Sequence, residues 1–249
     1  MKIVVCIKRT PDTETRIRLG EDGVSIDPNG VKFIISPYDE FAIEAGLRIK
    51  EAAADGEVIL LSMGGDGTQE TLRQGLAMGA DQAIHLRGDA GLDGLATAKA
   101  LAAELKGMDA SLILFGMKGA DMDQQQVGPM TATLLGLPCV TAASGFEKVG
   151  DTLTCRREVE GGAEILEMDL PAVVSLTKGK FEPRYASLKG IMAAKRKPLE
   201  EKEAQGGESR LIVRKLSYPP ARPAGRVVGE GPAAAPELVR LLREEAKAL

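Results

Sequence analysis

The run Gly116-Met-Lys-Gly-Ala-Asp-Met-Asp-Gln-Gln-Gln-Val-Gly-Pro129 follows an apolar stretch ending at Phe115 and precedes an apolar helical pattern, Met130 to Leu135. A strand, a glycine-containing loop and a helix in that order bring unpaired backbone N–H groups to a helix N-terminus, where a phosphate is held without a dedicated cation. Gly116, Gly119 and Gly128 allow the backbone to come close to such a ligand. The run lacks the lysine and spacing of a P-loop and is not a Gly-x-Gly-x-x-Gly turn, so an ordinary strand-to-helix connection stands beside the ligand loop as an equal alternative. A second turn of the same kind, Met63-Gly-Gly-Asp-Gly67, also follows an apolar run and opens a helix. Two such turns at adjacent strand ends would flank one crevice.

A different chemistry is written between Thr177 and Pro198. Seven basic residues, Lys178, Lys180, Arg184, Lys189, Lys195, Arg196 and Lys197, stand against one acid, Glu182, with Tyr185, Leu188, Ile191 and Met192 among them. A solvated basic face does not need those apolar side chains. An apolar anchor ringed by charge is how protein-docking sites are built, whereas a surface helix with a buried stripe would carry the same composition for packing alone.

Catalytic constellations are missing. The only histidine, His85, follows Ala83 and Ile84 on a strand-like run and reads as a hydrogen-bonded structural residue; a histidine-rich metal site is excluded with it. Cys6, Cys139 and Cys155 are odd in number and widely spaced, which fits reduced, buried thiols. No metal site and no catalytic residue are assigned. The carboxylates show no special spacing for acid/base work.

The elements that would position these segments follow from the apolar pattern. Ile3 to Ile7, Val58 to Leu61, Ala83 to Leu86 and Leu112 to Phe115 are short apolar runs separated mostly by helical patterns, which predicts a parallel sheet in an α/β fold. One helix starts at Pro37 with Asp39 and Glu40 in its first turn; another runs from Thr68 to Gly79; a third runs from a cap at Asp93 to Lys106. Ala142 to Val149, Thr152 to Glu158 and Ala163 to Met168 alternate between glycine turns and predict an antiparallel extension, followed by the strand Ala172 to Leu176. From about Glu200 to Pro236 the chain is broken by Gln205-Gly-Gly, Pro219-Pro220, Pro223, Gly225, Gly229, Gly231 and Pro232, and reads as an arm. A last helix, Pro236 to about Ala248, carries a Leu238, Leu241, Leu242 stripe that needs a surface to cover it. At 249 residues, 44% of them hydrophobic, the chain has one core and this appendage, divided at 199/200. The net charge of −4 gives no general reason to expect nucleic acid, and the absence of a long apolar run points to a cytoplasmic protein.

Several of these segments resemble, in the same order over about residues 1 to 200, the β subunit of electron-transfer flavoproteins. They are Met1-Lys-Ile-Val-Val-Cys-Ile-Lys-Arg-Thr-Pro-Asp12, Ser36-Pro-Tyr-Asp-Glu40, Thr71 to Asp81 with Ala77-Met-Gly-Ala-Asp81, Asp121 to Pro129, Leu170-Pro-Ala-Val-Val-Ser-Leu176 and Glu182-Pro-Arg-Tyr-Ala-Ser-Leu-Lys-Gly-Ile-Met192. The resemblance implies a Rossmann-like domain of the adenine nucleotide hydrolase-like kind, with helices on both faces of the sheet, and a C-terminal arm that embraces an α subunit. It implies AMP in this subunit, at positions matching Cys6, Ser36, Pro37, Tyr38, Asp39, Met63 and the run Asp121, Met122, Asp123, Gln124, Gln125, Gln126, Val127, Gly128, Pro129, Met130, Thr131, Ala132. Met122 and the Gln124-Gln125 pair depart from the small residues, Asp or Thr more usual there, which leaves side-chain contacts to the ligand open.

The same resemblance implies that FAD is held mainly by the α subunit, approached by the Thr10 to Thr15 loop with Thr13 where some members carry Tyr. The 182–197 block resembles a loop that grips acyl-CoA dehydrogenases, with Leu188 at its anchor position and Tyr185, Ile191 and Met192 beside it. The implied protein is not an enzyme in itself. It is one half of a heterodimeric carrier that takes electrons from flavin dehydrogenases, as in fatty acid oxidation, to a membrane quinone oxidoreductase. Two alternatives remain: a bifurcating flavoprotein with a second FAD in this subunit, and a stand-alone adenine-nucleotide-binding signalling protein.

Overall fold

A computed structural model describes residues 1–53, 55–89, 91–222 and 224–249; Pro223, one of the arm prolines named above, lies outside them. The chain forms two compact units, Met1–Arg214 and Lys215–Leu249. The first begins with β1 (Lys2–Cys6), a short antiparallel pair β2 (Arg9–Pro11) and β3 (Phe33–Ile35), α1 (Pro37–Ala52), β4 (Glu57–Gly64), α2 (Thr68–Met78), β5 (Gln82–Arg87), α3 (Gly94–Leu105), β6 (Leu112–Gly116) and α4 (Val127–Leu135). It continues through β7 (Cys139–Val149), β8 (Thr152–Val159), β9 (Gly162–Asp169), β10 (Ala172–Leu176), α5 (Leu188–Ala194) and β11 (Leu199–Glu203).

Among the described residues, nine strands form one sheet in the order β11-β5-β4-β1-β6-β10-β7-β8-β9. Pairing is parallel from β11 across to β7 and antiparallel from β7 to β9. The expected α/β fold with an antiparallel extension is therefore what forms. Side chains of β1 alternate between two cores. Ile3 and Val5 join Ala42, Ile43 and Leu47 of α1 and Leu72 and Leu76 of α2, while Val4 and Cys6 join Leu101 and Leu105 of α3 and Ala132 of α4. Helices cover both faces, which is why the central strands are continuous apolar runs rather than alternating ones.

Local chemistry sets the helix ends. Pro37 opens α1, where its missing N–H costs nothing, and Asp39 and Glu40 occupy the first turn. The Asp93 carboxylate accepts the Ala96 N–H at 2.8 Å and caps α3. Gly79 ends α2 at φ 138°. Helix α4 begins at Val127, three residues before the expected Met130, so Gly128 and Pro129 lie inside its first turn. Proline is tolerated there because first-turn N–H groups have no intrahelical acceptor.

Strand β11 had no counterpart in the apolar pattern. Its residues are Leu-Glu-Glu-Lys-Glu, yet Leu199 to Glu203 pair in parallel with Ala83 to Arg87. Beyond it, Asp93 accepts the N–H groups of Arg210 and Leu211. The first unit thus runs past the 199/200 boundary expected from composition, to Arg214. In the second unit α6 (Ala235–Glu244) is shorter than the expected 236–248 helix, and Arg240 pairs with Glu237 and Glu244 along it. Leu238 stays exposed and Leu241 is buried.

From β1 the chain leaves through α1 to β4 on one side, and from β5 it crosses back through α3 to β6 on the other. The strand order therefore reverses at β1, and the carboxyl ends of β1 and β6 open the crevice where ligands of open α/β sheets gather.

Candidate functional site

Cys6 and Phe115 are paired in register at the ends of β1 and β6. Just beyond them Lys8 joins three parts of the crevice. Its C=O accepts the Ser36 N–H at 2.9 Å, its N–H donates to Asp39 Oδ2 at 2.7 Å, and its ammonium meets Asp121 at 2.8 Å. The other Asp39 oxygen accepts the Gly116 N–H at 3.0 Å. The Ser36 hydroxyl donates to the Lys118 C=O at 3.2 Å and lies 3.3 Å from the Ala120 N–H that donates to it. The first turn of α1 thus ties the end of β1 to the end of β6.

Gly116 has to be glycine for this geometry. A Cβ there would stand 2.6 Å from the Tyr38 carbonyl carbon and 2.7 Å from the Asp39 nitrogen. Asp39 is only 5% exposed, and burial pushes its carboxyl up to about 7 against the downward pull of the two backbone N–H bonds and Lys8. Burial, and then the nearby Asp39, hold the Cys6 thiol well above its ordinary value, so it is neutral and not a nucleophile.

The loop after β6 is shaped by polar contacts. Lys118 pairs with Asp123 and stands 5.4 Å over the Tyr38 ring. Asp123 and Gln125 take left-handed backbone at φ 57° and 55°. The amide oxygens of Gln124 and Gln126 come to 3.2 Å from where a Cβ on Gly94 would be, over the first residue of α3. At the start of α4, Val127 and Gly128 carry N–H groups without intrahelical acceptors. Gly128 is buried against Phe115, and a Cβ on it would meet that ring at an ordinary 3.4 Å.

The sequence-identified positions differ in burial. Cys6, Ser36, Asp39, Gly128, Thr131 and Ala132 are buried; Pro37, Tyr38, Gln124, Val127, Pro129 and Met130 are half-buried; Asp121, Met122, Asp123, Gln125 and Gln126 are exposed. Met63 packs in the same apolar cluster as Cys6, Phe115, Val127 and Ala132. Thr13 is exposed in the turn after β2. The second glycine turn is not at a neighbouring strand end: β4 and β6 lie on either side of β1. Arg9 sits against that turn, its guanidinium 2.8 Å from where a Cβ on Gly67 would be and 3.4 Å over the Phe33 ring. His85 is fully buried with Nε2 2.9 Å from the Gly64 C=O, a structural role. Lys8, Arg9 and Lys118 are basic residues that the motifs alone do not mark out. Their signal was present: each is a basic residue just past the carboxyl end of an apolar run.

This arrangement can bind and hold. Among the described residues it offers backbone N–H groups, a hydroxyl and small side chains, and no nucleophile beside a base. Two open cavities, of about 550 Å³ and about 500 Å³, lie elsewhere. The first is at the amino ends of β1, β6 and β10, near Met1, Ser111 and Pro171, and the second lies over Phe146, Cys155 and Ile165.

The basic block forms a separate surface. Tyr185 is 99% exposed, Leu188 84%, Met192 70% and Ile191 46%. Apolar side chains this open do not serve the core of the chain itself.

Residues 24–206 match the family model described as the electron transfer flavoprotein domain. The chain is 40% identical over 232 residues to the electron transfer flavoprotein subunit beta of Syntrophomonas wolfei, covering 93% of this chain and 91% of that protein. It is 37% identical to the protein of the same name from Bradyrhizobium diazoefficiens and 38% identical to that from Bacillus subtilis, in both cases across 100% of each chain.

Proposed function

The chain belongs to the electron transfer flavoprotein family, and on that premise we propose that it works as the β subunit of a heterodimeric, cytoplasmic electron carrier. Its partner is a larger α subunit that holds most of the FAD, and the FAD supplies the electron-carrying chemistry. The carrier takes electrons from flavin dehydrogenases such as acyl-CoA dehydrogenases and delivers them to a membrane quinone oxidoreductase. This chain contributes binding and positioning rather than a reaction of its own.

The observation that carries the reading is the crevice at the strand-order reversal. An adenine nucleotide, read here as AMP, suits its donor set. The phosphate would take the first-turn N–H groups of α4 at Val127 and Gly128, and Cys6, Met63 and Ser36 to Tyr38 would surround the rest. Asp39 has a different part. Both of its oxygens already accept backbone N–H groups, so it holds the crevice open to the ligand rather than gripping it. The neutral Cys6 thiol packs; it does not react.

Co-expression with a candidate α subunit, followed by analysis of nucleotide released on denaturation, tests the proposal. One FAD and one AMP per heterodimer is the expected result. Two FAD per heterodimer would assign a bifurcating flavoprotein, and a stable homo-oligomer that ignores every α subunit would assign a stand-alone nucleotide binder.

A further inference from the structure

Two cations of the basic block, Arg184 and Lys197, face inward. Arg184 Nε donates to Glu44 Oε2 at 2.7 Å and Nη2 donates to Glu44 Oε1 at 3.1 Å, while Nη2 also reaches Glu51 Oε2 at 3.0 Å. The Arg184 N–H adds a 3.3 Å bond to the same Glu44 carboxylate. Glu44 lies on α1, is 2% exposed, and also takes Arg48 at 2.7 Å. Burial alone would raise the Glu44 carboxyl, but the hydrogen bonds from Arg184 and Arg48 outweigh it and hold it below the usual glutamate range. The carboxylate is ionised and fully engaged.

The other end of the block is fastened to α2. Arg73 donates to the Ala194 C=O at 2.6 Å and to the Lys197 C=O at 2.7 Å, and the Lys197 ammonium donates back to the Leu76 C=O at 3.0 Å. Gly190 lies so close to the Ala77 C=O that a Cβ would collide with it. Helix α5 has seven residues, too few to be stable without such support. Between the two fastenings Tyr185, Leu188 and Met192 project outward with almost no packing of their own.

We infer that Arg184, through Glu44 and Glu51, is a positioning residue that pre-shapes the Tyr185, Leu188 and Met192 patch for an apolar pocket on a flavin dehydrogenase. It does so from behind, without touching the partner. This rests on the carrier function proposed above and on the dehydrogenase-gripping role that the family resemblance implies for residues 182–197. An arginine suits the task because its planar fork spans two carboxylates, which a lysine ammonium cannot do with the same geometry. Holding the patch in its bound shape removes an ordering cost that docking would otherwise carry.

The test uses the full heterodimer with an acyl-CoA dehydrogenase, following dehydrogenase-dependent flavin reduction at low and raised salt, with melting temperature as a fold check. Arg184→Met should raise the apparent KM for the dehydrogenase about tenfold with kcat near wild type, and the effect should persist at raised salt. Arg184→Lys should fall between the two. A fully normal Arg184→Lys, or an Arg184→Met effect that vanishes with salt, would make Arg184 a steering charge and overturn the inference. Normal KM in both variants beside a raised KM in Leu188→Ala overturns it too, while leaving the docking role standing; normal KM in all three removes the docking role itself. If Arg184→Met does not assemble, Glu51→Gln loosens the clamp at an exposed carboxylate and should move KM in the same direction, and a normal KM there overturns the inference.

Discussion

The Gly116 N–H lies 3.0 Å from Asp39 Oδ1, at a point where a Cβ on residue 116 would stand 2.7 Å from the Asp39 nitrogen. The end of β6 and the first turn of α1 are thus in contact through bare backbone. Gly116→Ala should push the turn away and cost about 1–3 kcal/mol, the usual range for overpacking. A lowered melting temperature together with partial loss of bound nucleotide is the expected pair of results. An unchanged melt would mean that the α1 turn yields without strain.

Gly128 should behave differently. A Cβ there meets Phe115 at ordinary van der Waals distance, so the fold itself has room for an alanine methyl. Gly128→Ala should leave the nucleotide-free subunit about as stable as before, and the bulkier Gly128→Val should block close approach of a phosphate to the first turn of α4. AMP should be lost from the purified heterodimer, and its assembly weakened, with flavin reduction largely intact. Full AMP occupancy in this variant would put the phosphate elsewhere.

Asp39 should make part of the stability depend on pH. Its folded carboxyl is raised by burial from 3.8 to about 7. A raised acid binds its proton more tightly folded than unfolded, so its stabilising contribution is complete below about pH 4 and is lost as pH rises through about 7. Lys8 and Asp121 face the same carboxylate, one pulling its pKa down and the other up. Asp39→Asn cannot titrate, though its amide would oppose one backbone N–H. The difference in melting temperature between wild type and Asp39→Asn should therefore shrink steadily from pH 4.5 to 7 and level off above. A difference independent of pH would show that Asp39 titrates in its ordinary range.

These features differ in how far the chain's own residues announce them. The runs of β1, β4, β5 and β6 are legible because burial on both faces demands continuous apolar residues, and the starts of α1 and α3 are legible because Pro37 and Asp93 act locally. Strand β11 is not legible: at a sheet edge the backbone hydrogen bonds form whatever the side chains, and Glu200, Glu201 and Lys202 look like linker. The Lys8, Asp39 and Gly116 junction was half visible, since Asp39 and Gly116 lie in flagged segments while nothing local says that they meet. Arg184 and Glu44, 140 positions apart, carry no mutual signal at all.

The division at Arg214 sharpens the expectation for the arm. Removing residues 215–249 should leave the first unit folded, because its sheet still ends on β11 and Asp93 still holds Arg210 and Leu211. Heterodimer formation should weaken markedly if the second unit covers α-subunit surface. Removing residues 200–249 should do more, exposing the edge of β5 and lowering the melting temperature of the β subunit itself. Sedimentation of the two truncations with the α subunit separates these effects. A heterodimer of unchanged stability after the shorter deletion would show that the second unit is not part of the interface.

Leu188 offers the most direct test of the docking surface, because its 84% exposure leaves the fold little to lose. Leu188→Ala should therefore melt with wild type. If the side chain enters an apolar pocket on a dehydrogenase, truncation should remove about 1–3 kcal/mol of binding, a complex weaker by roughly five- to 150-fold. Lys189, beside it on the same short helix, should act otherwise: neutralising a charge at the rim of a contact slows association and flattens its salt dependence but changes dissociation little. Stopped-flow reduction of the heterodimer by the dehydrogenase, at several salt concentrations, reads both effects in one experiment. A Leu188→Ala variant that melts normally and is reduced normally would leave the exposed patch without a role in docking, and the exposed Lys189, Lys195 and Arg196 around it would then be a solvated surface and nothing more.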